Sequence, residues 1–168
     1  MQYGVVDMIR TGKAAALCAL AAVTIATPAQ ACWTSAEQDA AKVANLNMMM
    51  MVSALRCRKG PDDFLADYNR FVNNNNPVIG SQNAAVRNHF ARTNGNGNAD
   101  AAMDKFIIGI ANSYGGGHGW LGCAQLKLVA QDLSLNGHNV GSLLVIAKET
   151  VDEALLSGGN CPVNIASR

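Results

Sequence analysis

"TSAEQDAAKVANLNMMMMVSALRC", residues 34–57, is the stretch whose reading decides the fold. Thr34 stands three residues before Glu37, the spacing at which a capping box opens a helix. Ala36, Ala40, Val43, Met50, Ala54 and Cys57 then recur at helical spacing, and Leu46 and Met51 widen the stripe. Nothing in the run breaks a helix until Gly60-Pro61. One long amphipathic helix over 34–57 is therefore expected.

Downstream, the same period recurs in shorter blocks. A second helix follows Pro61 with Phe64, Tyr68, Phe71 and Val72 on one face, and "NNNNP" (73–77) is expected to end it in a turn. A third is expected over 81–92, burying Val86 and Phe90, before a mobile "NGNGN" loop (94–98). The fourth, 100–114, carries Met103, Phe106, Ile107, Ile110, Ala111 and Tyr114. "GGGHGWLG" (115–122) separates it from a fifth helix over 123–135, and Asn136-Gly137 makes the next turn. The sixth, 140–156, buries Val140, Leu143, Leu144, Ala147 and Val151 and stops at Gly158-Gly159. Strand-like alternation is essentially missing and no repeat period recurs. The expected fold is all-α, a compact bundle of five or six helices.

Upstream of the first helix, the apolar run "AAALCALAAVTIA" (14–26) follows Arg10 and Lys13 and leads to Pro28 and Ala29-Gln30-Ala31. A basic region, a short apolar core and an A-x-A end make a secretory signal peptide, with Met8 as a compact start. The core is too short for a transmembrane span. Residues 1–31 are thus read as a cleaved signal and 32–168 as a single helical domain, secreted or periplasmic in a bacterial cell. Of 13 basic and 12 acidic side chains, the signal removes Arg10, Lys13 and Asp7, leaving 11 of each sign. A neutral domain with dispersed charge lacks the basic face that nucleic acid or an anionic membrane requires.

Cysteine usage agrees with export. Cys18 leaves with the signal, and Cys32, Cys57, Cys123 and Cys161 remain, an even number expected to form two disulfides. Lipidation of Cys32 is the competing reading, but Ala29 and Gln30 replace the leucine and small residue of a lipoprotein signal. A continuous helix over 34–57 spans about 35 Å, whereas bridged Cα atoms lie within about 7 Å. Cys32 therefore cannot pair with Cys57, and each must reach Cys123 or Cys161. A strict up-and-down count of six helices leaves Cys57 alone at one end, in conflict with pairing all four. Between the two remaining connectivities the reading favours Cys32–Cys123.

No catalytic, cofactor or metal constellation emerges. The cysteines and His89, His118 and His138 lack the close spacing of a zinc site. In "MMMM" (48–51) only Met48 and Met51 share a helix face, a poor Cu(I) pair, so the run reads as core or contact filling. A haem held by a methionine and a histidine is not specified by any spacing. "GGGHGW" (115–120) matches no phosphate loop, and its bland reading is a connector whose Trp120 packs on the core. A carboxylate pair for glycoside cleavage would have to come from Glu37, Glu149 and Glu153, of which Glu37 is taken by the capping box. The expected role is binding or assembly at the envelope or surface, with another envelope or surface protein as partner and an oligomer compatible with it. The alternative is a periplasmic enzyme with His118 near its site.

Overall fold

A computed structural model describes residues 32–151 and 159–161. The expected signal segment, with Met8, Cys18 and the Ala31 cleavage site, lies outside the described residues, as does Glu153, while the last helix ends at Thr150 with Val151 extended, short of its expected end at Leu156. Five α-helices occupy the described residues: α1 (Ser35–Cys57), α2 (Leu65–Asn94), α3 (Ala99–Ser113), α4 (Cys123–Asn136) and α5 (Val140–Thr150). The expected all-α bundle is thus what forms, and the only β-type pairing among these residues is an isolated bridge between Trp33 and Asn160.

α1 begins as its sequence dictates. The Glu37 amide donates to Thr34 Oγ1 at 3.3 Å and the Thr34 amide to Glu37 Oε2 at 2.9 Å, completing the capping box. The helix runs through the middle of the bundle, contacting all four others. It therefore buries residues around most of its circumference, including Ala40, Ala41, Ala44 and Ala54, whose small side chains let neighbouring helices approach. This central position lets the whole methionine run act as core filling. Met49 and Met50 are fully buried, while Met48 and Met51 are partly buried and packed against the same core. A helix enclosed on several sides can face its core in every direction.

The largest correction concerns the Asn-rich segment. α2 continues without interruption from Leu65 through Asn73–Asn76 and Pro77 to Asn94, merging the expected second and third helices. Pro77 has no N–H to offer the carbonyl four residues back, but it lies on the exposed side of the helix. Phe71, Asn75 and Ile79 follow one another on the buried side, so packing carries the helix across the gap. Asn75 is completely buried, and its Nδ2 donates to the Phe71 carbonyl at 3.0 Å. Asn74 Nδ2 reaches the Ser134 carbonyl of α4 at 3.3 Å. Gly95, with φ of +82°, then ends α2. The expected "NGNGN" loop forms a single 3-10 turn (Asn96–Asn98) that leads directly into α3.

The disulfides are Cys32–Cys161, with Cα atoms 4.8 Å apart, and Cys57–Cys123, 5.7 Å apart. The favoured Cys32–Cys123 pairing is therefore wrong, and the other admissible connectivity is adopted. Its cause is the merged α2. With one helix fewer between them, Cys57 at the end of α1 and Cys123 at the start of α4 fall at the same end of the bundle. The same count brings the end of α5 to that end as well, so the Cys32–Cys161 bridge still lies outside a strict up-and-down arrangement. The exclusion of Cys32–Cys57 stands.

The core has two parts. The larger gathers Leu46, Met49, Met50, Phe64, Phe71, Ile110, Leu133 and Leu143 with their neighbours. The smaller lies at the Cys32 end around Trp33, Ala40, Ala44 and Val86, with Phe90 and Phe106 packed on it.

Candidate functional site

Two polar centres lie at opposite ends of α1. At the Cys32 end, Trp33 is buried and stacks on the His89 ring with centroids 3.6 Å apart. His89 Nδ1 lies 3.3 Å from Glu37 Oε2, and Arg92 Nη2 donates to both Glu37 oxygens at 2.8 and 2.7 Å. The same guanidinium reaches the Cys32 carbonyl at 3.2 Å, tying the segment that leads into α1 to the end of α2. Burial alone would raise the Glu37 pKa. The Arg92 guanidinium, the Thr34 amide and hydroxyl, and His89 outweigh it and hold the carboxyl at about 2. Burial pushes the His89 imidazole below its ordinary value and Arg92 adds to that, against the opposing pull of Glu37.

This cluster was only partly visible in the sequence. Glu37 reads as part of the capping box, and His89 and Arg92 lie more than 50 residues away. The signal that would have found them is their three-residue spacing on the face of a helix that turned out to be continuous. An imidazole enclosed by Trp33, Glu37, Arg92 and Phe90 meets no nucleophile among the described residues and works as a pin between α1 and α2.

At the opposite end, the loop from Gly115 to Gly122 folds over the Cys57–Cys123 bridge. His118 organises it. The backbone N–H groups of Trp120 and Leu121 point at His118 Nδ1, at 3.3 and 3.2 Å, so this nitrogen must accept. Nε2 lies 2.7 Å from the Thr150 carbonyl and so carries the proton, linking the loop to the end of α5. Both ring nitrogens are committed to backbone groups, the arrangement of a loop clasp rather than of a proton-transfer base. Arg56, in the last turn of α1, donates to the Gly115 carbonyl. Gly117 has φ of +114°, a backbone conformation that suits glycine. Trp120 departs from expectation: it is 61 % exposed, and Leu121 packs on the core in its place.

Two clefts of about 180 Å³ flank this loop. One is lined by Ser113, Tyr114 and Trp120, the other by Ser53, Arg56, Leu121, Leu126 and the Cys57–Cys123 bridge, and His118 stands between them. Glu149 lies near this end, in the last turns of α5, while Glu37 opens α1 at the other. They do not form a carboxylate pair. His138 caps the end of α4 by pointing Nε2 at the Leu135 carbonyl. The three histidines are therefore not brought together, and no group of three His, Cys, Asp or Glu side chains among the described residues is disposed to hold a metal.

The outer surface carries several large apolar side chains. On α4, Leu128 is 66 % and Leu135 64 % exposed, two turns apart on one line of the helix. Ile108 on α3 and Val145 on α5 are exposed as well. No protein-family model, no curated protein and no solved structure matches the chain.

Proposed function

We propose that the protein is an exported helical binding module of the bacterial envelope or surface, docking another protein through the outer face of α4. The observation that carries this reading is the Leu128–Leu135 line, two large apolar side chains presented to solvent at a seven-residue spacing. That spacing is the seam at which one helix receives another. Export is supported by the two disulfides, which persist in oxidising compartments. No helix among the described residues is long and apolar enough to cross a membrane. A rigid scaffold lowers the entropy lost on association, and stapling α1 at both ends supplies one. The enzymatic alternative at His118 is disfavoured by the engagement of both its ring nitrogens.

Purification from native envelopes tests the reading. A Leu128→Asp/Leu135→Asp variant should keep its helical circular dichroism and lose a protein that co-purifies with the natural chain. An unchanged set of co-purifying proteins would remove α4 as the docking face. Intact mass of the same material should correspond to residues 32–168 less four hydrogens. A retained leader or an added lipid would overturn the assignment of export and cleavage.

A further inference from the structure

The cleft at Ser113, Tyr114 and Trp120 is set apart by how its aromatic wall is held. Trp120 is largely exposed, yet its place is fixed twice. Its amide donates to His118 Nδ1 at 3.3 Å, and its ring meets the imidazole edge-on with centroids 4.5 Å apart. His118 in turn stacks on the buried Tyr114 ring, 5.8 Å away at an interplanar angle of 18°. Three rings therefore stand in a row, and the outermost presents its indole to solvent. An aromatic side chain held still in this way binds a ligand with little further loss of entropy. The rest of the lining sets the chemistry of that ligand. No ionised side chain lines the cleft, and His118 is neutral, since Nδ1 accepts from two N–H groups while Nε2 donates to the Thr150 carbonyl. Gly117 and Gly119 have only peptide groups with which to line it. The Gly119 N–H and the Trp120 Nε1–H meet no acceptor among the described residues.

The geometry points to a binding site for one pyranose ring of a neutral glycan. A pyranose carries C–H groups on its face and hydroxyls around its rim. The face lies on the Trp120 indole, whose electron-rich surface meets the C–H groups, and the rim exchanges hydrogen bonds with the Gly117 and Gly119 peptide groups and the indole N–H. A charged ligand would find no opposite charge in the lining, and a wholly apolar one would leave the peptide groups without partners. At about 180 Å³ the cleft takes a single sugar ring, with the rest of the chain in solvent. Catalysis is not implied, because both His118 nitrogens are engaged. The site is independent of the α4 docking face: Leu128 and Leu135 do not line it.

The test is a titration of the oxidised protein with methyl glycosides of glucose, galactose, mannose and N-acetylglucosamine and with trisaccharides of the same sugars. Sorbitol, cyclohexanol and choline are titrated beside them. Of the two tryptophans Trp33 is buried, so a saturating change in emission reports on Trp120. At least one sugar should saturate it, and irradiating the aromatic protons of the protein should transfer saturation to the C–H protons of one ring face. Trp120→Ala, at an exposed position, should keep the circular dichroism and weaken binding by roughly tenfold or more, read by the same transfer, with Trp120→Phe weakened less. The proposal is overturned if no sugar saturates the emission. Sorbitol, cyclohexanol or choline binding as tightly as the sugars would overturn it too, as would unaltered affinity in Trp120→Ala.

Discussion

Glu37 serves three purposes at once: it closes the capping box of α1, pairs with Arg92 and abuts His89. Its carboxyl falls from an ordinary 4.5 to about 2 on folding. The unfolded chain therefore takes up a proton first as pH drops, and the associated stability is fully present above 4.5 and lost on the way down to about 2. With partial solvent screening the contribution is on the order of 1–2 kcal/mol. Glu37→Gln should remove it at neutral pH and flatten the acid limb, as read by urea unfolding across that range. His89 acts in the same direction at higher pH. Because burial lowers its pKa from 6.5, protonation favours the unfolded chain, and stability declines as pH falls below 6.5. His89→Phe keeps a ring against Trp33 and should abolish that upper step while leaving the lower one. Of this centre the sequence discloses the local half, Thr34 with Glu37. The other half depends on α2 delivering His89 and Arg92 across 30 residues of helix, which local pattern does not disclose.

Helix α2 shows where local propensity and packing part company. Four asparagines and a proline are turn-formers taken singly, and a break there is the natural expectation. Yet Phe71, Asn75, Ile79 and Val86 hold helical register across the segment, and Asn75 occupies a core position that polar residues seldom take. Treating Asn75 as core would have revealed the unbroken helix, and with it Cys57 and Cys123 at one end of the bundle. The helices free of such conflict, α1, α3 and α4, lie within a residue or so of their expected bounds, apart from minor differences such as exposed Ala36. Pro77 still carries a cost, since a helix-interior proline removes one hydrogen bond and crowds the preceding turn. Pro77→Ala at this exposed site should stabilise the protein by about 1–2 kcal/mol, part of the gain being offset by the freer unfolded chain. A rise in the thermal midpoint would show it. A fall would mean that a bend at Pro77 is needed for α2 to follow the core.

For the whole molecule the two bridges divide the labour. Cys57–Cys123 closes a loop with 66 residues of separation and Cys32–Cys161 one of 129. The chain-entropy relation gives about 4 kcal/mol for the first and about 5 for the second. Replacing Cys57 and Cys123 together by serine should lower stability by roughly that amount, measurable by chemical denaturation, and should also loosen the Gly115–Gly122 loop. Replacing Cys32 and Cys161 should instead expose Trp33, visible as a change in its fluorescence. The all-α class and the need for two long-range bridges could be read from periodicity and cysteine number. The cleft at Trp120 could not, because its rings take their places only once the loop is clasped to the ends of α1 and α5.

Beside the Cys32–Cys161 bridge, the Trp33 amide donates to the Gly159 carbonyl at 3.0 Å and the Cys161 amide to the Trp33 carbonyl at 2.9 Å. Chain arriving before residue 32 and chain leaving after 161 thus meet at a single knot. Tension applied between the two termini would run through that sulfur link and bypass the helices. In a single-molecule stretching experiment the oxidised protein should hide the contour length of the 129-residue loop, and a reductant should release it. Gripped by its two ends at that knot, the bundle would carry none of the load, its glycine-rich end turned away from the grip.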